Sequence, residues 1–87
     1  MKLPESLSLL SELLSKVKET EDLSNILEDI LTPSEIVELS DRISIIKMLK
    51  EWVSQREIAS KLWVSITTVS RWSRLLNFER KAIHKYV

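Results

Sequence analysis

The spacing of apolar residues constrains the fold of this chain most strongly, because it has the period of an α-helix throughout. The first apolar stripe is formed by Leu3, Leu7, Leu10, Leu14 and Val17. Steps of four and three residues place these side chains on one side of a helix. A second short helix is predicted over residues 23–31, after a polar break at residues 19–22. No segment alternates with a period of two, so no β-strand is predicted.

A clear start signal predicts the third helix. Thr32 serves as N-cap, Pro33 occupies the first helical position and Glu35 completes a capping box, so a helix is predicted over residues 33–50. Its predicted apolar face consists of Ile36, Leu39, Ile43, Ile46 and Leu49.

Three further helices complete the predicted all-α fold of six short helices. Ser54 and Glu57 form a second capping box. Ser65 caps a helix that runs to about residue 76, and a last short helix is predicted over residues 79–86.

The length of 87 residues corresponds to one small domain. We divide it into dimerisation helices (residues 1–31), a central helix (33–50), a helix-turn-helix (54–76) and a C-terminal helix (79–87). A domain this short buries a modest fraction of its surface and offers few surfaces to cover three wide apolar stripes. We therefore predict a homodimer with interleaved N-terminal helices, and a packed monomer is the alternative.

Charge is distributed unevenly although the net charge is zero. Residues 1–32 carry three basic and seven acidic side chains, whereas residues 33–87 carry ten basic and six acidic ones. A basic half behind an acidic half is the electrostatic footprint expected of a nucleic-acid-binding protein. Ordinary solvated helix faces are the alternative reading of the same charges.

Several classes of protein are not expected from this sequence. It has no cysteine, no run of about 18 apolar residues and no signal-peptide pattern at its start, so we expect a cytoplasmic protein without a membrane span. His84 is the only histidine, and neither a glycine-rich phosphate loop nor a cluster of metal ligands is present. We therefore expect neither an enzyme nor a metal site.

Residues 55–74 carry the pattern of a DNA-reading helix-turn-helix. Two short helices that cross steeply at a tight turn need apolar residues at the fourth, eighth, tenth, fifteenth and eighteenth places and a small residue at the fifth. The residues at the apolar places are Ile58, Leu62, Val64, Val69 and Trp72, and the small residue is Ala59. The alternative is a helical protein–protein interaction module that uses this motif without DNA.

The predicted DNA-binding residues lie on these two helices. They are Ser54, Gln55, Arg56, Lys61, Ser65, Ile66, Thr67, Thr68, Ser70, Arg71 and Arg74. The N-terminal part of the second helix is expected at base edges in the major groove of double-stranded DNA. Arg56 suits a guanine or a phosphate, and Lys61, Arg74 and the serine caps suit phosphates. The alternative for each is a solvated surface residue.

Residues 31–77 resemble the Trp repressor family. The resemblance is carried by four segments: Leu31-Thr-Pro-Ser-Glu35, Leu39 with Asp41-Arg42-Ile43, Ser54-Gln-Arg-Glu57 and Ile66-Thr-Thr-Val-Ser-Arg71. It implies an intertwined six-helix dimer, a repressor whose two reading helices enter successive major grooves of a roughly palindromic operator.

The resemblance also implies an effector pocket. Arg42 and Arg71 match two arginines that bracket a bound tryptophan in some family members, and Thr32 matches a nearby position. Trp72 stands where those members have a glycine, and its indole would fill much of the ligand's space. We therefore expect no bound effector, and binding of L-tryptophan or a similar co-repressor is the alternative. A salt bridge to Asp41, Glu38 or a partner is the alternative role of Arg42.

The chain contains no glycine, although average usage of about 7% predicts about six. Trp52, Trp63 and Trp72 fall where the Trp repressor family commonly uses glycine. Position 52 is expected to cap the third helix, and position 63 to form the turn, and both need a left-handed backbone. One hypothesis is that the organism decodes UGA codons as glycine, and that a translation table has assigned tryptophan to these three codons. The alternative is that all three are genuine tryptophans.

Overall fold

The computed structural model describes residues 1–78 and 82–87, and helices account for its regular structure. The α-helices are α1 (Leu3–Ser15), α2 (Thr20–Ile30), α3 (Pro33–Lys50), α4 (Gln55–Leu62) and α5 (Ile66–Phe78). A 3₁₀ helix follows at Ala82–Lys85. The described residues contain no strand, which confirms the all-α prediction. The predicted last helix is represented by the 3₁₀ helix, and residues 79–81 of it lie outside the described residues.

The chain divides into two compact units, Met1–Ile36 and Val37–Val87, which are described separately. In the first unit, α2 begins at Thr20, so the polar break predicted over residues 19–22 is mostly helical. Glu21 and Asp22 lie in the first turn of α2, where the helix dipole favours negative charge. Their polarity therefore marks the start of a helix rather than a gap between helices.

No residue of the first unit, residues 1–36, is buried. The leucine stripe of α1 is solvent-exposed at its N-terminal end, with Leu3 at 71% and Leu7 at 54% of their full accessibility. Leu9 and Leu13, which widen the stripe, are exposed as well. A pair of helices with no buried side chain has little burial to offset the conformational entropy of ordering it.

The start of α3 matches its predicted capping box. The backbone N–H of Thr32 donates to Glu35 Oε1 at 2.9 Å, and the N–H of Glu35 donates to Thr32 Oγ1 at 3.2 Å. The hydrogen bond from the Thr32 N–H, and secondly a hydrogen bond between the Thr32 side chain and the carboxylate, hold the pKa of the Glu35 carboxyl below its ordinary value. The charged form of Glu35 therefore stabilises the first turn of α3.

The core lies in the second unit. Ile45, Ile58 and Val69 are buried together at its centre. Seven partly buried residues pack around them: Met48, Leu49, Val53, Ala59, Leu62, Val64 and Trp72. Side chains from α3, α4 and α5 thus share one apolar cluster, which holds these helices together.

The predicted apolar face of α3 is only partly right. Ile46 is buried and Leu49 packs on the core, as predicted, but Ile45 is also buried, whereas Ile43 is 43% exposed. Residues two apart point to nearly opposite sides of a helix, so Ile43 and Ile45 cannot face the same core. Leu39 and Ile43 instead share a second apolar stripe that is exposed.

Two helix ends use a left-handed backbone at a tryptophan. Among the described residues, the positive φ angles belong to Trp52 (62°), two residues after the end of α3, and Trp63 (58°), directly after α4. Both positions were predicted to need this conformation, and the structure confirms it. Each left-handed residue turns the chain sharply, which allows the next helix to start within a few residues.

Candidate nucleic-acid interface

The apolar pattern predicted for the helix-turn-helix is the one that packs in the structure. Ile58 and Val69 have no accessible surface, and the partly buried residues around them are Ala59, Leu62, Val64 and Trp72. Ala59, at the fifth place of the motif, lies in this cluster, where a larger side chain would separate α4 from α5. The left-handed Trp63 forms the turn between the two helices.

The two helices of the motif start with serine caps. Ser54 Oγ accepts from the Glu57 N–H at 3.2 Å, and Ser65 Oγ accepts from the Thr68 N–H at 3.1 Å. The Ser65 and Thr68 hydroxyls also lie 2.8 Å apart and share a hydrogen bond. Three hydroxyls that were predicted to contact DNA therefore form hydrogen bonds at the N-termini of α4 and α5.

The carboxylate of Glu57 does not complete the second half of the predicted capping box. It lies 3.4 Å from the Nζ of Lys61, one turn further along α4. Such exposed pairs contribute little to stability, about 0.3–0.5 kcal/mol. Lys61, another predicted DNA-binding residue, is thus held by an acidic neighbour that a phosphate would have to compete with.

A hydrogen bond between side chains joins the two helices of the motif. The hydroxyl of Ser70, in the second turn of α5, donates to Oε1 of Gln55, the first residue of α4, at 2.6 Å. The bond is partly buried and spans 15 positions of sequence. Both residues were predicted to contact DNA, but here they hold α5 against the start of α4.

The remaining predicted DNA-binding residues are exposed. They are Arg56, Ile66, Thr67, Arg71 and Arg74. Thr67, Arg71 and Arg74 are spaced by four and three residues, so they form one stripe along α5, opposite the side that packs on the core. Among the described residues, no carboxylate lies within ion-pair distance of Arg56, Arg71 or Arg74. Their positive charges are available to an external anion.

Two of the four residues of the predicted effector pocket, Arg42 and Trp72, are in contact within the second unit. The guanidinium carbon of Arg42 lies 5.3 Å from the centre of the Trp72 ring, a cation–π contact, and Arg42 Nη2 lies 4.0 Å from Glu38 Oε1. The indole therefore covers one side of the guanidinium. Thr32 belongs to the first unit, and its N–H and hydroxyl are engaged with Glu35. Arg71 is exposed.

Sequence reasoning assigned no role to His84 or Lys50, which line a cavity of ≈ 500 Å³ in the second unit. The Nζ of Lys50 donates to the carbonyl oxygen of His84 at 3.2 Å and to the carbonyl oxygen of Val87. The cavity also touches Gln55 and Asn77. No motif in the sequence signals it, because it forms where the ends of three helices meet.

Two short helices packed across a left-handed turn, with exposed arginines along the second, define this chain as a helix-turn-helix protein. The chain belongs to the Trp repressor family, since the family model described as Trp repressor protein matches residues 5–87. Proteins of this family are transcriptional regulators and not enzymes. The chain is accordingly a Trp repressor-like transcriptional regulator.

Individual relatives agree with this assignment. Two proteins of Xylella fastidiosa, from strains M23 and 9a5c, are each named Trp operon repressor homolog. Each is 47% identical over 68 residues, which is 77% of this chain and 74% of the relative. The crystal structure of a TrpR-like protein from Eubacterium eligens ATCC 27750 matches with a TM-score of 0.84 at 30% identity and covers 93% of this chain and 84% of that one.

In the part of the chain that the structure describes, no helix combines the length and the apolar character that crossing a bilayer requires. No three His, Cys, Asp or Glu side chains are grouped there closely enough to hold a metal ion.

Proposed function

We propose that this chain is a sequence-specific, double-stranded DNA-binding transcriptional regulator, which acts in the cytoplasm as a homodimer on a roughly palindromic operator. The observation that carries the proposal is the exposed stripe of Thr67, Arg71 and Arg74 on the second helix of a packed helix-turn-helix. A helix of this kind fits the major groove. Arginine binds guanine there with two hydrogen bonds, and threonine either forms a hydrogen bond with a base edge or contacts a thymine methyl.

The caps and the Gln55–Ser70 hydrogen bond support the proposal in a second way. A reading helix discriminates bases only if it is held rigidly, and α5 is fixed by its Ser65 cap and by Ser70. The start of a helix also favours a phosphate, because its first N–H groups have no partner within the helix. We therefore assign base contacts to Ile66, Thr67 and Arg71, and phosphate contacts to Arg56, Lys61 and Arg74.

The dimer is supported by what the chain leaves uncovered. The first unit buries no side chain, and α3 exposes the stripe of Leu39 and Ile43. Exposed apolar surface of this extent marks an interaction site in a small protein. A second copy of the chain, with the same exposed stripes, gives a symmetric way to cover them. Two reading helices related by a two-fold axis then require an operator with two similar half-sites.

The test is selection of random double-stranded DNA by the purified protein, with binding of the selected sequence measured at several salt concentrations. We expect a palindromic sequence and an affinity that falls steeply as salt rises, because bound phosphates release counterions. Arg71→Ala should weaken binding by about 1–3 kcal/mol and relax the preference at one base position per half-site. Arg74→Ala should weaken binding to all sequences about equally.

The matched control removes two positive charges far from the motif in sequence. Lys2→Ala/Lys18→Ala has the same net charge as Arg56→Ala/Arg71→Ala, and both lysines are exposed. If the control pair loses as much affinity as the motif pair, binding is non-specific charge attraction and not reading by the helix-turn-helix. If folded wild-type protein enriches no sequence at low salt, the protein-interaction reading of this motif replaces the proposal.

A further inference from the structure

The chain makes left-handed turns without the residue that makes them easily. Glycine adopts positive φ freely because it has no Cβ, and it is absent from all 87 residues. The two positive φ angles of the described chain fall on Trp52 and Trp63. With three tryptophans placed at random, both left-handed positions would fall on tryptophan roughly once in a thousand arrangements.

The backbone at Trp52 forms the hydrogen-bonded helix end that most often contains glycine. The N–H of Val53 donates to the carbonyl oxygen of Met48 at 3.0 Å, and the N–H of Trp52 donates to that of Leu49 at 3.1 Å. These two bonds define a Schellman motif with residue 52 as its left-handed position. Val53 and Met48 both pack on the core, as the apolar contact of this motif requires.

The backbone at Trp63 ends α4 with another left-handed residue and a different pair of hydrogen bonds. Trp63 has φ 58° and ψ 39°, and its N–H donates to the carbonyl oxygen of Ala59. The N–H of Val64 donates to the same oxygen at 3.1 Å. This is the turn of the helix-turn-helix, so its left-handed residue is required by the fold rather than chosen by the side chain.

Neither side chain offsets the strain of its backbone. Trp52 and Trp63 are each 93% exposed, and neither indole N–H makes a hydrogen bond to a described residue. An indole usually lies at least partly buried, since it is the largest apolar side chain. At both positions a bulky side chain therefore occupies a backbone that disfavours it and gains no packing there.

We infer that positions 52, 63 and 72 are glycine in the protein as its own cells make it. The three codons at these positions are UGA, and a transfer RNA that carries glycine decodes UGA in those cells. A single reassigned codon explains both the tryptophans at the two left-handed turns and the exposure of their indoles, and it supplies three glycines to a chain that otherwise has none.

The third tryptophan provides a separate check because its backbone needs no glycine. Trp72 lies within α5, is partly buried and stacks on Arg42. Its identity follows only from the shared codon, not from its conformation. With glycine there, the guanidinium of Arg42 loses the ring that covers it, and open space appears beside it in the second unit.

The inference is tested by reading the three codons in the gene and by mass spectrometry of the protein purified from its own cells. We expect UGA at all three positions and peptides that contain glycine at residues 52, 63 and 72. The native protein should also show no indole absorption, which leaves Tyr86 and Phe78 as its aromatic chromophores. UGG codons, or indole in these peptides, would overturn the inference. This result does not depend on DNA binding, because none of positions 52, 63 and 72 is among the residues assigned to DNA contacts. The proposed function is tested separately.

Discussion

Among single residues, the two exposed tryptophans, Trp52 and Trp63, have the least favourable backbone conformation of the described chain, because both are left-handed. A residue with a Cβ in the left-handed region loses roughly 1–2 kcal/mol relative to the right-handed region. Most other residues of the described chain adopt helical angles that any side chain tolerates.

Trp63→Gly is expected to stabilise the folded chain by about 1 kcal/mol, since glycine removes the Cβ clash and gives up only an exposed indole. Urea unfolding followed by circular dichroism measures the change. Trp63→Ala is the control, because alanine removes the indole but keeps the Cβ. If alanine stabilises as much as glycine, the gain comes from losing the indole and not from relieving the backbone.

Glu35 makes the start of α3 sensitive to acid. Its pKa is lowered by the hydrogen bond from the Thr32 N–H and by that with the Thr32 hydroxyl, so its charged form favours the folded state. This contribution is fully present above the ordinary pKa of a glutamate and is lost as pH falls through the lower pKa of the folded chain.

Carbon-detected NMR titration of the Glu35 carboxyl should therefore give a pKa below the ordinary value. Thr32→Val should raise that pKa only part of the way, because the backbone N–H that contributes most remains. Glu35→Gln keeps an acceptor oxygen without a titrating group, so this variant should lose the acid-dependent part of the stability. An unchanged acid dependence in Glu35→Gln would assign it to other carboxylates.

At the scale of elements, the reading helix depends on how it starts. Ser65 gives α5 its cap, and the left-handed residue before Val64 sets the direction from which α5 begins. Loss of the cap leaves an orphan N–H and frays the turn that carries Ile66 and Thr67.

Ser65→Ala is expected to destabilise the chain by about 1 kcal/mol and to weaken specific DNA binding more than non-specific binding. Thermal unfolding and DNA affinity measure the two effects. Ser60→Ala is the matched control, because Ser60 is exposed within α4, where alanine favours the helix. Equal losses of affinity in both variants would contradict a special role for the start of α5.

At the scale of the whole molecule, the first unit is the part that the single chain does not explain. Residues 1–36 contain no buried side chain, whereas the second unit has a closed apolar core around Ile45, Ile58 and Val69. The second unit thus contains the helix-turn-helix, whereas the first unit has apolar surface that the single chain leaves exposed.

The wild-type protein is expected to sediment as a dimer, and Leu7→Asp/Leu10→Asp is expected to shift it to monomer with loss of helix. Both leucines are exposed on one stripe of α1, so a charge there disrupts a partner contact rather than the core of the single chain. Ser8→Asp places one such negative charge off this stripe and should remain dimeric. A monomeric wild type at micromolar concentration would refute the homodimer.

The helices and the helix-turn-helix motif could be predicted from the sequence, because both depend on local rules. The period of apolar residues, the Thr32–Glu35 box and the serine caps depend on neighbours within one turn, and the structure agrees with them. The left-handed conformation at positions 52 and 63 was also predicted, since helix ends have few solutions.

Packing between helices settles which of the remaining side chains are free to bind. No local pattern predicts that the side chains of Gln55 and Ser70 form a hydrogen bond, or that Ile45 rather than Ile43 enters the core. These outcomes depend on the angle at which α3, α4 and α5 pack. That angle is set by the summed fit of many side chains distant in sequence, which no local pattern encodes.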